Sequence, residues 1–300
     1  MSLIAIDWGT SGFRAWHLDA GGALLARRAA DRGILSVQEG GFEAALRGEI
    51  GAWLGADCLG VLMSGMIGSR QGWLEAAYAH APVGPGELSA RLASFTLQDG
   101  TPAWIVPGVA ARSASGIPDV MRGEETQILG ILPALGPGDH LLCLPGTHSK
   151  WVHVEHGRIS GFQTHMTGET FALFSKHSIL ARTMTESSGF STAAFEQGVR
   201  RSGEPGGLLH HLFGVRAAVL VDGQPEADTR DVLSGILIGH ECRAASAGRS
   251  VHLVGSAALT QRYEHALATL GCATTRHDPD AALAGLIHIA RSRGLLPEHP

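Results

Sequence analysis

Twice in 300 residues the chain runs from a short apolar strand into a glycine–threonine turn and out along a second strand. The first copy is "LIAIDWGTSGFRAWHLD", Leu3 to Asp19, and the second is "HLLCLPGTHSKWVHVEHG", His140 to Gly157. Period-two alternation on both sides of each turn predicts a β-hairpin. The two copies also close alike, with "HLDAGG" and "HVEHGR". Such a repeat restricts the chain to folds assembled from two related halves.

Between and after the hairpins the pattern alternates between strand and helix. A third strand is expected near Leu24 to Ala29, and the spacing of Phe42, Leu46, Ile50 and Trp53 predicts a helix. Leu59 to Met63 read as a buried strand running into the loop "SGMIGSRQGW", and residues 75–100 read as a less regular insertion. "AWIVPGVAAR" is a further short strand ended by Pro107-Gly108. "DVMRGEETQILGILPAL" has helical spacing through Val120, Ile128 and Leu132 and is expected to stop at Pro133 and Gly136-Pro137-Gly138. That break divides the chain into an N-terminal domain, residues 1–136, and a C-terminal domain, residues 137–300. The stretch from Phe171 to Ala247 is mostly helical by pattern; "SVHLVGSAALTQRYEHALATLG" then gives a strand, the turn Gly255-Ser256 and a helix. The class is α/β.

Composition narrows the function. Apolar residues make up 44% and charged ones 17%, which suits a globular chain. A net charge of −5 without a Lys/Arg run argues against a nucleic-acid surface. Four scattered cysteines without a C-x-x-C pair indicate a reducing compartment, and with neither a signal peptide nor a membrane-length apolar run the expectation is the cytoplasm, away from membranes. Sixteen histidines invite a metal reading, but His148, His153, His156 and His165 fall in alternating segments without H-E-x-x-H.

A tight hairpin turn needs only two residues such as Asn-Gly. These turns carry more. Backbone N–H groups of a glycine-rich turn can form an anion-binding concavity. In the first turn Gly9, Thr10 and Ser11 would contribute donors and Arg14 a charge; in the second, Gly146, Thr147, Ser149 and Lys150 would do the same. Two such turns facing each other would clamp a polyphosphate between two domains. Asp7, at the end of its strand, would orient a hydrated Mg²⁺, for which one carboxylate suffices. Neither a dinucleotide fingerprint nor a P-loop is present.

These residues carry a resemblance. "IAIDWGTSGFRAW" and "LPGTHSKW" resemble the two phosphate motifs of the actin-like ATPase superfamily, and "VHLVGSAAL" resembles its adenosine motif. Within that superfamily the chain resembles the 2-dehydro-3-deoxygalactonokinase family along nearly its whole length, through "DWGTSGFRAW", "SGMIGSRQGW", "RGEETQILGIL", "LPGTHSKWV" and "THMTGETFALF" in order. The resemblance implies a two-domain, ribonuclease H-like fold with a central cleft, ATP and Mg²⁺ as cofactors, and Gly255 and Ser256 at the adenosine. It implies a small sugar acid, 2-dehydro-3-deoxy-D-galactonate, phosphorylated at its 6-hydroxyl. Leu144 stands where many superfamily members carry an aspartate, which leaves Asp7 as the main metal-orienting residue.

A kinase of a sugar acid must grip a carboxylate and deprotonate a hydroxyl. "SGMIGSRQGW" offers Arg70 for the carboxylate or keto group, Gln71 and Ser64 for hydroxyls, and Trp73 as a wall. For the general base, the Glu-Glu pair of "RGEETQILG" is similar to the catalytic-glutamate helix of the exopolyphosphatase branch, and its second member is Glu125. Glu124 and Asp119 stand in reserve. Gly168-Glu169-Thr170 could reach ribose, phosphate or acceptor, or cap a helix beginning at Thr170. Gly235 is expected at a close helix contact. Competing readings are a polyphosphatase-type phosphohydrolase, a kinase of the epimeric gluconate-derived acid, and an actin-like nucleotide switch. The assembly is left open, a homodimer included.

Overall fold

The computed structural model describes residues 1–185, 189–278 and 280–298. Fourteen strands and nine α-helices occur among them. In order they are β1 (Ser2–Trp8), β2 (Phe13–Asp19), β3 (Leu24–Ala30), α1 (Phe42–Ile50), β4 (Cys58–Ser64), β5 (Ala79–His80), α2 (Pro85–Ala90), β6 (Ala93–Thr96), β7 (Pro102–Ile105), β8 (Val109–Arg112), β9 (Pro118–Met121) and α3 (Glu124–Leu135). They continue with β10 (Asp139–Leu144), β11 (Ser149–Glu155), β12 (Arg158–His165), α4 (Thr167–His177), α5 (Thr192–Arg201), α6 (Gly207–Val221), α7 (Thr229–Ser246), β13 (Val251–Leu253), α8 (Ala257–Thr269), β14 (Thr274–Arg276) and α9 (Ala281–Ser292).

The repeat in the sequence becomes a repeat in topology. One sheet has the order β3-β2-β1-β4-β7-β6 and another the order β12-β11-β10-β13-β14. In the first, β1 pairs antiparallel with β2, from Ser2↔Asp19 to Trp8↔Phe13, and parallel with β4, which pairs parallel with β7. In the second, β10 lies parallel to β13 and β13 to β14. A strand flanked on both sides needs apolar residues on both faces, which is why Leu3, Ile4, Ala5 and Ile6 run unbroken and buried. An antiparallel hairpin feeding parallel strands in both sheets is the ribonuclease H-like plan, and its double occurrence gives the actin-like ATPase fold.

The chain forms two compact units. The first comprises residues 1–139, 153–162 and 280–300, and the second 140–152 and 163–279. The sequence-based division lay at residue 136; the structure brings the last helix back to the first unit. There α9 packs on α3, with Gly130 against the Ala281 carbonyl and Gly285 against the Thr126 carbonyl, closer than any Cβ could come. Behind the first sheet lies a core of Trp8, Phe13, Phe42, Leu46, Ile50 and Met63. The second unit has two clusters, one around Trp151, Phe195 and Tyr263, the other around Leu212, Leu233 and Ile236. Gly235 meets the Phe195 carbonyl between α7 and α5, the close contact expected of it.

Three local expectations are corrected. Residues 118–121, including Asp119 and Val120, form strand β9 and not the start of a helix; Gly123, at φ 105°, separates that strand from α3. Pro133 lies within α3 rather than ending it. It has no N–H to give the Leu129 carbonyl four residues back, and His288 of α9 donates its Nδ1–H to that carbonyl at 3.0 Å. The segment 75–100, read as irregular, carries β5, α2 and β6. No helix among the described residues is long and apolar enough to cross a membrane.

Candidate active site

In the first unit, Trp8 fixes the start of the turn. It is fully buried, meets Phe13 and Phe42 edge-on at 5.0 and 5.9 Å, and donates its indole N–H to the Arg32 carbonyl. The turn Gly9–Gly12 is closed by the Gly9 N–H on the Gly12 carbonyl and tied from behind by Ile34 and Leu35, which donate to the carbonyls of Gly9 and Thr10. Thr10 and Ser11 remain exposed. They line a cavity of about 500 Å³ together with Asp7, Gly9, Arg14 and Asp31. Arg14 is paired across the hairpin with Asp7 at 2.6 Å and with Asp280 at 3.2 Å.

Two glycines bring the candidate base toward Asp7. Gly65, at φ 94°, follows β4 so closely that a Cβ would lie 3.0 Å from Asp7 Oδ1 and 2.7 Å from the Trp8 carbonyl. A Cβ on Gly123 would lie 3.3 Å from Gly65 Cα. Gly123 opens α3, and its N–H donates to Glu125 Oε2 at 2.7 Å while the Thr126 hydroxyl donates to Oε1 at 3.1 Å. Glu125 is fully buried, and burial, reinforced by the charge of Glu124, pushes its carboxyl up to about 8. Glu124 accepts from the Arg122 N–H instead, and Asp119 sits on β9.

The acceptor-loop residues separate into two groups. Arg70 and Gln71 are exposed, with Arg70 held by Glu75 at 3.0 Å. Ser64 is fully buried in β4, its hydroxyl donating to the Ile6 carbonyl at 3.4 Å, and Trp73 packs between Phe42 and Phe95 at the edge of the core. The apolar end of the loop is thus spent on packing. The polar tip faces water.

In the second unit, α4 begins at Thr167, not Thr170, and seats Gly168 on the second turn, where a Cβ would meet the Gly146 carbonyl at 2.5 Å. Glu169 donates its N–H to the Thr147 carbonyl, and its carboxylate accepts from His148 Nε2. Ser149 and Lys150 turn inward: Ser149 is fully buried and bonded to the Tyr263 hydroxyl at 2.7 Å, and Lys150 donates to the Thr164 hydroxyl at 3.0 Å. Gly255, at φ 150°, lies beside Pro145, and Ser256 stands at the start of α8.

Gly146 also borders a cavity of about 250 Å³ lined by Phe171, Phe190, Arg230, Asp231, Arg262 and Tyr263, among others. The Arg262 guanidinium lies 4.3 Å from the Phe190 ring and bonds Asp231 at 3.0 Å; Arg230 lies 5.4 Å from the Phe171 ring. Flat rings backed by cations suit a planar, electron-rich guest. Phe171 falls within the quoted stretch "THMTGETFALF", but Phe190 lies in the loop before α5 and Arg230, Asp231, Arg262 and Tyr263 come from α7 and α8, whose patterns read only as helices.

Glu241 was likewise silent in the sequence. It is buried on α7 and accepts from the Trp151 indole and the Tyr263 hydroxyl, each at 2.7 Å, fastening the second hairpin. Burial pushes its carboxyl above the usual range, against the pull of those donors. Glu241→Leu leaves the buried Trp151 N–H and Tyr263 hydroxyl without that acceptor, and a loss of about 1–3 kcal/mol in denaturant unfolding is expected.

Comparison with known proteins points to one family. Residues 7–289 match the family described as 2-keto-3-deoxy-galactonokinase. The chain is 42% identical over 296 residues to a probable 2-dehydro-3-deoxygalactonokinase from Rhizobium meliloti (strain 1021), covering 96% of both chains. It is 35% identical over 294 residues to the 2-dehydro-3-deoxygalactonokinase of Escherichia coli (strain K12), covering 96% of this chain and 97% of that one. A crystal structure from Sinorhizobium meliloti, assigned to the same enzyme class, superposes with a TM-score of 0.90 at 41% identity, over 99% of this chain and 100% of the other. With motifs, topology and full-length similarity in agreement, the chain belongs to the 2-keto-3-deoxy-galactonokinase family.

Proposed function

We propose that the protein transfers the γ-phosphoryl group of ATP to the 6-hydroxyl of 2-dehydro-3-deoxy-D-galactonate. The observation that carries this reading is the convergence of Asp7, the Thr10–Ser11 turn and the Glu125 helix through Gly65 and Gly123. In the first unit, Asp7 would hold a hydrated Mg²⁺ that neutralises phosphate charge; a carboxylate bordering a roomy polar cavity fits that ion, and Arg14 would leave Asp7 for a phosphate oxygen. Glu125 would accept the hydroxyl proton, and at the loop's exposed tip Arg70 would meet the keto group and Gln71 a hydroxyl of the substrate. In the second unit, Gly146 and Thr147 would offer backbone donors to phosphate, and the cavity between Phe171 and Phe190 would take the adenine, with Gly255 and Ser256 toward the ribose. The four free thiols suit a reducing compartment, and the cytoplasm is the proposed location.

Purified protein incubated with ATP, Mg²⁺ and a panel of 2-keto-3-deoxy sugar acids should release ADP only with an acceptor present, and fastest with the galactonate-derived acid. Phosphate release from polyphosphate without acceptor-dependent ADP would overturn the reading. Asp7→Asn should keep the fold and lower kcat about 100-fold, with a raised Mg²⁺ requirement, in the same assay.

A further inference from the structure

The acceptor loop hides a second arginine. Arg122 precedes Gly123 and is 8% exposed. Its Nη2 donates to the Ala76 carbonyl at 2.8 Å and its guanidinium lies over the Tyr78 ring at 4.4 Å. Its Nε and Nη1 are buried and have no hydrogen-bond partner. A permanently charged group with two buried, unused donors is costly unless an anion completes it. Nη1 lies against Gly68, where a Cβ would stand 2.9 Å away. Ser69, the next residue, has a buried hydroxyl that also lacks a partner. Seven buried side-chain polar atoms lack partners among the described residues, and three of them belong to this pair.

Resting on the sugar-acid reading above, we propose that Arg122, assisted by the Ser69 hydroxyl, is the seat of the acceptor's carboxylate. The Nη1 and Nη2 end of a guanidinium offers two parallel N–H groups, the arrangement that a carboxylate's two oxygens match, and Nη2 spends only one of its two hydrogens on Ala76. Arg70 cannot serve as well, because it is almost wholly in water and already paired with Glu75. An anion reaches Nη1 by lifting the turn Met66–Gly68, which is held by the Gly68 N–H on the Gly65 carbonyl at 3.2 Å and the Ser69 N–H on the Met66 carbonyl at 3.0 Å. Binding of the carboxylate is therefore coupled to the loop that presents Arg70 and Gln71. The adjoining Gly65 borders Asp7, so the acid's far end is anchored on the same loop that leads to the phosphate turn.

The test measures binding without ATP, so that failure of phosphoryl transfer is read separately. Calorimetry compares 2-dehydro-3-deoxy-D-galactonate with its methyl ester. The wild type should prefer the acid by about 10- to 100-fold, the range of a charged hydrogen-bonded pair. Arg122→Gln should reduce that preference to a few-fold, Arg122→Lys should restore part of it, and Arg70→Gln should leave it largely intact. Equal binding of acid and ester by the wild type, or an unchanged preference in folded Arg122→Gln, overturns the proposal, as does loss of the preference in Arg70→Gln alone. Should Arg122→Gln fail to fold, amide exchange on the wild type decides: altered exchange of residues 66–72 with acid and not ester supports the assignment. The same change with both, or with neither, means that the orphan donors hold only water.

Discussion

Glu125→Gln is expected to lower kcat by about 10²- to 10⁴-fold, the range a positioned general base supplies, while making the protein more stable at pH 8. Both effects come from one proton. The folded protein holds it on Glu125 up to about pH 8, whereas an unburied glutamate releases it near 4.5. Between those values the folded state binds the extra proton, so stability falls as pH rises through the window. Glutamine abolishes that fall, a relative gain on the order of 2–4 kcal/mol at pH 8. It also fits: its amide oxygen can take the Gly123 N–H and its amide N–H₂ can donate to the Thr126 hydroxyl, the two groups that Glu125 now engages. The same proton must leave before the carboxylate can act as base, so wild-type kcat/KM should climb with pH to a plateau above about 8. A pH–rate profile and melting curves at pH 5 and pH 8 check both halves. Near-normal kcat in the variant would move the base to Glu124 or Asp119; a wild-type melting temperature independent of pH would remove the buried proton.

What the sequence made legible follows its chemistry. Hairpins are read from period-two alternation and from turns whose residues are rare elsewhere, so Asp7, Gly9, Thr10 and Ser11 were read together, and they line one cavity. The Glu-Glu pair stood out through its likeness to a catalytic-glutamate helix, and its second member, Glu125, is the buried one. The misplacements share a different cause. Ser64, Ser149 and Lys150 flank glycine turns as donors should, yet a strand alternates its faces, and which face meets the core is settled by partners distant in the chain: Ile6, Tyr263 and Thr164. Asp119 was drawn into a helix because Val120 happens to keep a helical interval from Ile128, while Gly123's positive φ, which breaks the helix there, leaves no mark on apolar periodicity. Arg122 and Glu241 were invisible for the plainest reason. Charged residues are presumed solvated, and only packing shows which ones are not.

The last helix returns to the first unit on a contact that admits no side chain, and this yields the largest expected loss of stability. In Gly285→Ala the new methyl would stand 1.8 Å from the Thr126 carbonyl oxygen and 2.8 Å from its carbon. Both atoms belong to the backbone of α3, so no rotamer change relieves the overlap; the helices must part. Parting them also withdraws α9 from the Leu129 carbonyl that His288 satisfies. A destabilisation of about 3–5 kcal/mol is expected, at the upper end of overpacking because rigid backbone is struck. Gly86→Ala is the matched control, since that glycine lies in α2 at an ordinary φ with open space around its Cα. It should gain about 0.5–1 kcal/mol from helix propensity alone. Urea unfolding of the two variants separates a packing effect from a backbone-entropy effect, and equal midpoints would show the α3–α9 approach to be looser than described. The consequence reaches the chemistry, because Thr126 is also the residue whose hydroxyl donates to Glu125. Below its melting temperature, Gly285→Ala should therefore shift the pH at which activity rises, which a defect of stability alone would not do.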